Sequence, residues 1–330
     1  MTNHRFNWFL ILRLAGIALF IVVLSRTDLA ELWGWMKEVN RAGLLLAILF
    51  QFMVLIIKAW RWYILNEEGF NARSLMRRSG EFFEGYAIGV ITPGRVGELM
   101  KAGHAGSRSG ILGAGLRVIA ERGMDLSIFV VIAGIAISRS VLPGVDPFWG
   151  WLVLFAGSGG MILSLMILVS PALVSLAERL MKITRLLGRE KSLEFVHRPW
   201  PNTAGFLILS LAGNLSYFIC CYFLATGVGI DLSIISVSGG VAAAGVVNTI
   251  PVTVMGLGTR EVTFLYVFQS FPQAQVMAFS GLVFLVAQIG GGLISLVLGQ
   301  ILLWNSKHQA PSTKRQAPGT KNQEPRTNDQ

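Results

Sequence analysis

Charge is scarce in this sequence. Asp, Glu, Lys and Arg make up 14% of its 330 residues, against roughly a quarter in a typical soluble domain. Cysteine is nearly missing. Cys220 and Cys221 are adjacent inside an apolar run, so they offer neither a disulfide framework nor a metal-ligand spacing, and helix packing is their expected role. The sequence also lacks a phosphate loop of the nucleotide-hydrolysing kind, a nucleophile elbow and a metal-ligand cluster. Direct use of ATP is not expected, nor is a cofactor or metal. No polar stretch is long enough for a separate soluble domain; the longest are about 171–203 and the tail from Trp304.

Apolar residues, at 53%, are what the chain has in abundance. Several runs reach bilayer-spanning length, which predicts an all-α, polytopic helical membrane protein. The net charge of +10 does not point to nucleic acid, because the basic residues fall mainly between apolar runs. There they act as a topology signal and as contacts to anionic lipid head groups.

Full spans are predicted at about 8–24, 43–65, 114–137, 149–169, 204–226 and 275–303. The first resembles a secretion signal, but it ends in Ser25-Arg26-Thr27-Asp28 without a small-residue cleavage site, so it is expected to remain. Arg13 inside it is expected to snorkel. A polar link, Ser25 to Arg41, follows. The second span ends in Lys58-Ala59-Trp60-Arg61-Trp62-Tyr63, an aromatic and basic belt; interface anchoring is the preferred reading for Lys58, while Arg61 is ambiguous. A surface helix is expected within 171–203, and the tail 304–330 should be disordered.

Between the second and third spans, the apolar piece Phe82–Ile91 is too short to cross a bilayer and is broken by Pro93-Gly94. It predicts a re-entrant hairpin that returns over about 96–105. A second break, Met255-Gly256-Leu257-Gly258-Thr259-Arg260-Glu261, follows the Gly/Ala-rich piece 234–250. Each break pairs an Arg with a Glu: Arg95 with Glu98 near Gly97, and Arg260 with Glu261. Each also follows a run ending in Thr and Pro. Non-helical backbone at membrane depth survives only where protein or a wet cavity covers it.

Span, span, hairpin, span therefore occurs twice, over about 8–138 and 149–303. Three crossings per half invert the second half relative to the first, the architecture of inverted-repeat transporters. Arg73, Arg77, Arg78 and the basic segment 171–203 then fall on the same side as both termini, which predicts that the termini are cytoplasmic.

Arg95, Glu98, Glu121, Arg122, Asp125, Arg260 and Glu261 lie at or near membrane depth, and Arg61 joins them as a candidate site residue. Each isolated charge there costs about 2.5–3.5 kcal/mol on insertion scales. Arg117, Glu121 and Asp125 recur at four-residue spacing, so they share one helical face, which must turn away from lipid. One reading is internal ion pairing that locks the hairpins to the third span. The other is a polar cavity in which Arg95 and Arg260 offer forked donors to a phosphate. Helix N-termini after Gly94 and Gly258 would then add backbone donors, with Glu98 and Glu261 orienting the arginines or carrying protons.

These motifs carry a resemblance. Arg61-Trp62, Pro93-Gly94-Arg95-Val96-Gly97-Glu98, Glu121-Arg122-Gly123-Met124-Asp125 and Gly256-Leu257-Gly258-Thr259-Arg260-Glu261 are similar to motifs of the lysylphosphatidylglycerol synthase transmembrane-region family, a group of flippase-like membrane proteins. The resemblance covers about 8–303. It implies a membrane domain that moves or handles polar-head phospholipids or lipid-linked intermediates. Aminoacyl-phospholipid synthases of that family carry a large soluble catalytic domain after the membrane part. Only the polar tail follows here, so lysyl transfer by this chain alone is not expected.

The favoured expectation is an inner-membrane translocator of anionic or phosphate-bearing lipids. Two alternatives stand beside it. One is a membrane enzyme using Glu98, Glu121 and Asp125 as acid and base, or an accessory subunit partnering a glycosyltransferase or lipid-synthesis enzyme. The other is a scaffold braced by its charges.

Overall fold

A chain this apolar must satisfy its backbone N–H and C=O groups internally, and helices do so within one segment. The structure, a computed structural model, describes residues 18–67, 69–170, 200–249 and 255–308. All regular structure among these residues is helical. Four helices are long and apolar enough to cross a membrane: Arg41–Asn66, Pro147–Val169, Asn202–Gly227 and Gln273–Ser306. The expected first span is helical over 18–25, while its beginning, the surface helix within 171–203 as far as residue 199, and the tail from 309 lie outside the described residues.

The link after the first span is not merely polar. It forms α1, Leu29–Lys37, capped by Asp28, whose side chain accepts from the N–H groups of Ala30 and Glu31. Glu31 in the first turn and Lys37 in the last complement the helix dipole. The second span is α2, Arg41–Asn66, capped by Asn40.

The expected short hairpin over 82–105 takes a different form. The leading piece extends back through Arg78, Arg77 and Arg73 to make α3, Ala72–Ile91. After a 3-10 turn, Pro93–Leu99, the returning piece runs without interruption into the third span as α4, Met100–Ser138. At about 1.5 Å per residue α4 is ~58 Å long, almost twice the bilayer's hydrocarbon core. The glycines between 103 and 115 do not break it, because a glycine costs only about 1 kcal/mol within a helix, less than stranding backbone polar groups.

The second half is α5, Pro147–Val169, then α6, Trp200–Gly227, α7, Ile234–Val247, and α8, Thr259–Val267. The helices α7 and α8 are about 21 and 14 Å long, both too short to cross. The last span comprises α9, Gln273–Val283, a π-helical turn over Phe284–Gly290, and α10, Gly291–His308.

Helices α2 and α6 pack antiparallel. Phe50 stacks on Phe223 at one end, and Asn202 donates to the Ile64 carbonyl at the other. Cys220 and Cys221 are buried and free in the main apolar core. Helix α4 meets α5 through small residues: a Cβ on Gly150 would lie 2.2 Å from the Ser138 nitrogen, and one on Gly157 2.8 Å from the Val131 nitrogen. Because lipid offers no hydrophobic drive for helix association, such close approach is what holds the pair. The opposite side of α5 presents Phe148, Trp151, Phe155 and Ile162 outward. Gly150→Val should therefore lower stability by about 1–3 kcal/mol, read from the unfolding midpoint in detergent. Gly159→Val, where nothing lies within 4 Å, should leave that midpoint nearly unchanged.

Candidate functional site

Helix α3 stops at Ile91 because Thr92 is extended and Pro93 opens the 3-10 turn. The Thr92 hydroxyl accepts from the Gly97 N–H at 2.8 Å, and Gly97 itself lies against Ile88. Arg95, directly after Gly94, takes a left-handed backbone, φ +55°, which is uncommon for a non-glycine residue. The turn folds back onto α3, where Gly85 and Gly89 leave a slot. A Cβ on Gly89 would stand 2.4 Å from Glu98 Cγ, and one on Gly85 2.3 Å from Lys101 Cγ. The breaks predicted at Pro93 and Gly94 thus serve to lay Glu98 and Lys101 inside the bundle.

There they join a continuous ion-pair network across α2, α4 and the turn. Arg61, fully buried, donates to Asp125 at 2.6 and 3.1 Å, to Glu121 at 2.7 Å and to the Ser210 hydroxyl at 3.0 Å. Lys101 donates to Glu121 at 2.8 Å and to Glu98 at 3.2 Å. Lys58 and Asn214 donate to Asp125 at 3.0 and 2.8 Å. Arg122 pairs with Glu98, and Arg95 approaches Glu98 at 3.9 Å while lying over the Tyr86 ring. Glu121 and Asp125, one turn apart on α4, do face inward. Arg61, Lys101, Glu98 and Glu121 are at most 1% exposed. Arg95 and Arg122 are different: their side chains keep 38% and 31% exposure.

What they are exposed to is a cavity of about 540 Å³. Lys58, Arg95, Glu98, Arg122 and Asp125 supply its charged wall, and Gln51, Asn214, Asn248 and Gln288 its amides. It is bounded by Gln51 and Val54 of α2 and by Tyr217 of α6, positions near the midpoints of both antiparallel helices. Five cations of the network (Lys58, Arg61, Arg95, Lys101, Arg122) face three carboxylates (Glu98, Glu121, Asp125). The wall is therefore formally cationic. Side-chain oxygens of Glu98, Gln51 and Asn214 are buried there without a hydrogen-bond partner. Among the described residues, no group of His, Cys, Asp and Glu is arranged to hold a metal ion.

The second motif is built otherwise. Met255, Gly256 and Gly258 all have positive φ, and the tight turn ends in α8. Its N-terminus is closed by the chain's own carboxylate: Glu261 accepts from the Gly258 N–H at 2.6 Å. Glu261 also accepts from Ser280 at 2.8 Å and pairs with Arg260, whose guanidinium lies over Phe284. Arg260 and Glu261 are 3% and 2% exposed and are not among the residues lining the cavity. Gly256 and the neighbouring Asn248 are. The two arginines expected to share a ligand are thus brought to different surroundings. Arg95 borders the cavity, and Arg260 braces the turn to α9.

Three participants were not among the expected site residues. Lys58 belongs to the network rather than to an interface belt, Lys101 is a buried link between Glu98 and Glu121, and Asn214 completes the shell of Asp125. A signal existed for the first two. Lys58 lies one turn before Arg61 and Lys101 one turn after Glu98, so each shares a helical face with an intramembrane charge.

The sequence profile of the lysylphosphatidylglycerol synthase TM region matches residues 10–295. No curated protein matches the chain.

Proposed function

The chain belongs to the lysylphosphatidylglycerol synthase transmembrane-region family, and on that premise we propose that it carries a phosphate-bearing lipid between leaflets of the inner (cytoplasmic) membrane. Family and apolar helices make it a multi-pass membrane protein tied to lipid metabolism or translocation. The observation that carries the finer reading is the cationic cavity halfway along two antiparallel, membrane-crossing helices. A binding site at the bilayer midplane, at the meeting of two repeats, is where an alternating-access carrier needs one.

Arg95 and Arg122 have free surface toward the cavity and offer forked donors that match a phosphate. Glu98, Glu121 and Asp125 are each paired with at least two cations and serve to hold those cations in place; this favours a carrier over acid–base chemistry. The unpartnered oxygens of Glu98, Gln51 and Asn214 suit a head group that also bears hydroxyl or ammonium donors, since buried acceptors without a partner call for one.

The inverted repeat belongs to the same reading. If α2 corresponds to α6, α3 to α7 and α4 to the last span, then the α3–α10 pairing and the α4–α7 pairing are each other's counterparts, and both are present. A left-handed non-glycine residue also marks each break, Arg95 in one and Met255 in the other. Six crossings with cytoplasmic termini complete the arrangement. A glycosyltransferase or lipid-synthesis enzyme would be the natural partner, as source or consumer of the lipid.

The test uses purified protein in liposomes with fluorescent phosphatidylglycerol or phosphatidylcholine in both leaflets. Loss of protection of the inner leaflet from dithionite is the readout. The expected result is faster loss with the anionic lipid, slowed several-fold by Arg95→Gln. Bleaching no faster than in protein-free liposomes, with or without a pH gradient, would reject translocation.

A further inference from the structure

Helices α3 and α10 run antiparallel, and their seam changes character along its length. At one end it is closed. A Cβ on Gly80 would lie 2.8 Å from Leu303, and one on Gly299 would lie 3.0 Å from the Glu84 nitrogen. Toward the C-terminus of α3 the seam parts. At Gly292 the nearest atoms to an added Cβ belong to Val90, 3.7 Å away, an ordinary contact distance. In the gap lies a second cavity of about 230 Å³. Ala87, Ile88 and Ile91 form one wall, and Ile289, Leu293 and Leu296 the other. Among the described residues, Gln288 is its one polar lining residue.

Two observations say what fits there. First, Val90, Met255 and Gln288 line both this groove and the cationic cavity, so the two spaces adjoin. Second, Ile91, Leu293 and Leu296 are 62%, 59% and 47% exposed on a helix pair whose outer face meets lipid. The groove therefore joins a charged interior to the hydrocarbon. It is too apolar for a head group and too small for a whole lipid.

We propose that the open end of the α3–α10 seam is a lateral portal that holds one acyl chain of the lipid whose head group occupies the cationic cavity. This rests on the lipid-carrier reading and makes it specific. The head group is bound inside by Arg95 and Arg122, while the chain leaves through this seam rather than past α5 or along the α2–α6 contact. The closed end, at Gly80 and Gly299, keeps that part of the seam shut.

The full-length protein would be reconstituted with phosphatidylglycerol carrying a diazirine midway along one acyl chain. It would then be irradiated, digested and mapped by mass spectrometry. The expected adducts concentrate on 87–91 and 288–296, several-fold above those on the lipid-facing Phe155 and Ile162 of α5. Gly292→Trp, which fills the groove from one wall, should remove this excess and slow dithionite-detected movement of phosphatidylglycerol at least five-fold. Ile91→Trp does so from the other wall at an exposed position, and stands in if Gly292→Trp misfolds. Adducts spread evenly over the outer helices, with transport unaffected by either tryptophan, would overturn the portal and leave the carrier reading intact. Seam adducts abolished by the tryptophans in a protein that moves no lipid would uphold the acyl-chain site and overturn the carrier.

Discussion

Arg61→Ala should destabilise the protein by about 3–5 kcal/mol, the cost of removing one partner from a buried charge cluster. Among the described residues, Arg61 is the only cation of the network that touches both Asp125 and Glu121, and it is fully buried against Phe206. Its loss leaves Asp125 with Lys58 and Asn214, and Glu121 with Lys101 alone. Two carboxylates four residues apart on one helix would then repel in a medium that screens poorly. Arg61→Lys should recover part of the loss, because an ammonium keeps the charge but cannot reproduce the planar fork that reaches both Asp125 oxygens, Glu121 and Ser210 together. The measurement is thermal unfolding in detergent, with yield of monodisperse protein as a second readout. An unchanged midpoint for Arg61→Ala would mean that water, rather than Arg61, neutralises these acids.

Arg122→Glu should reduce movement of anionic lipid about 100-fold while the protein stays folded. Arg122 keeps nearly a third of its side chain open to the cavity, so its replacement deletes little packing. Its reversal removes the positive excess of the wall and sets a second carboxylate beside Glu98. A penalty of about 2.7 kcal/mol on binding a phosphate corresponds to that factor, and like-charge juxtaposition commonly costs this much. The decisive readout is selectivity. Movement of a zwitterionic lipid should fall far less than that of an anionic one. An equal fall for both, together with a lowered unfolding midpoint, would assign Arg122 to bracing instead.

The contrast between these two arginines also shows where sequence reasoning reached and where it stopped. Both were candidate site residues, Arg122 as a charge at membrane depth, where a costly residue must face inward, and Arg61 ambiguously at the end of the second span. Sequence does not separate the one that braces from the one that faces the cavity; that depends on whether a neighbouring helix covers the guanidinium. Arg260 makes the same point. Its motif parallels that of Arg95, but Glu261 follows it directly and both caps α8 and neutralises it. The helix N-terminus expected to bind an anion is already occupied by the chain's own acid. At Arg95 the acid is three residues on and is drawn toward Lys101 and Arg122 as well.

The caps Asp28 and Asn40 came from the structure, but the end of α3 was legible because Pro93 names it as a breaker. The extents of α3 and α4 were not, because a hydropathy window stops at Arg78 and at the glycines after Lys101. Those arginines are instead neutralised locally, Arg78 by Glu67 at 2.8 Å and Glu81 at 2.9 Å, which lets the helix continue through them.

By itself, then, the sequence determined that this is a helical, multi-pass membrane protein with broken segments and inward charges, since each follows from the cost of exposing a polar group to hydrocarbon. Tertiary structure decided which charges cancel and which remain open to a cavity, and where the α3–α10 seam parts. Those outcomes depend on distances between helices far apart in the chain, and no local pattern encodes them.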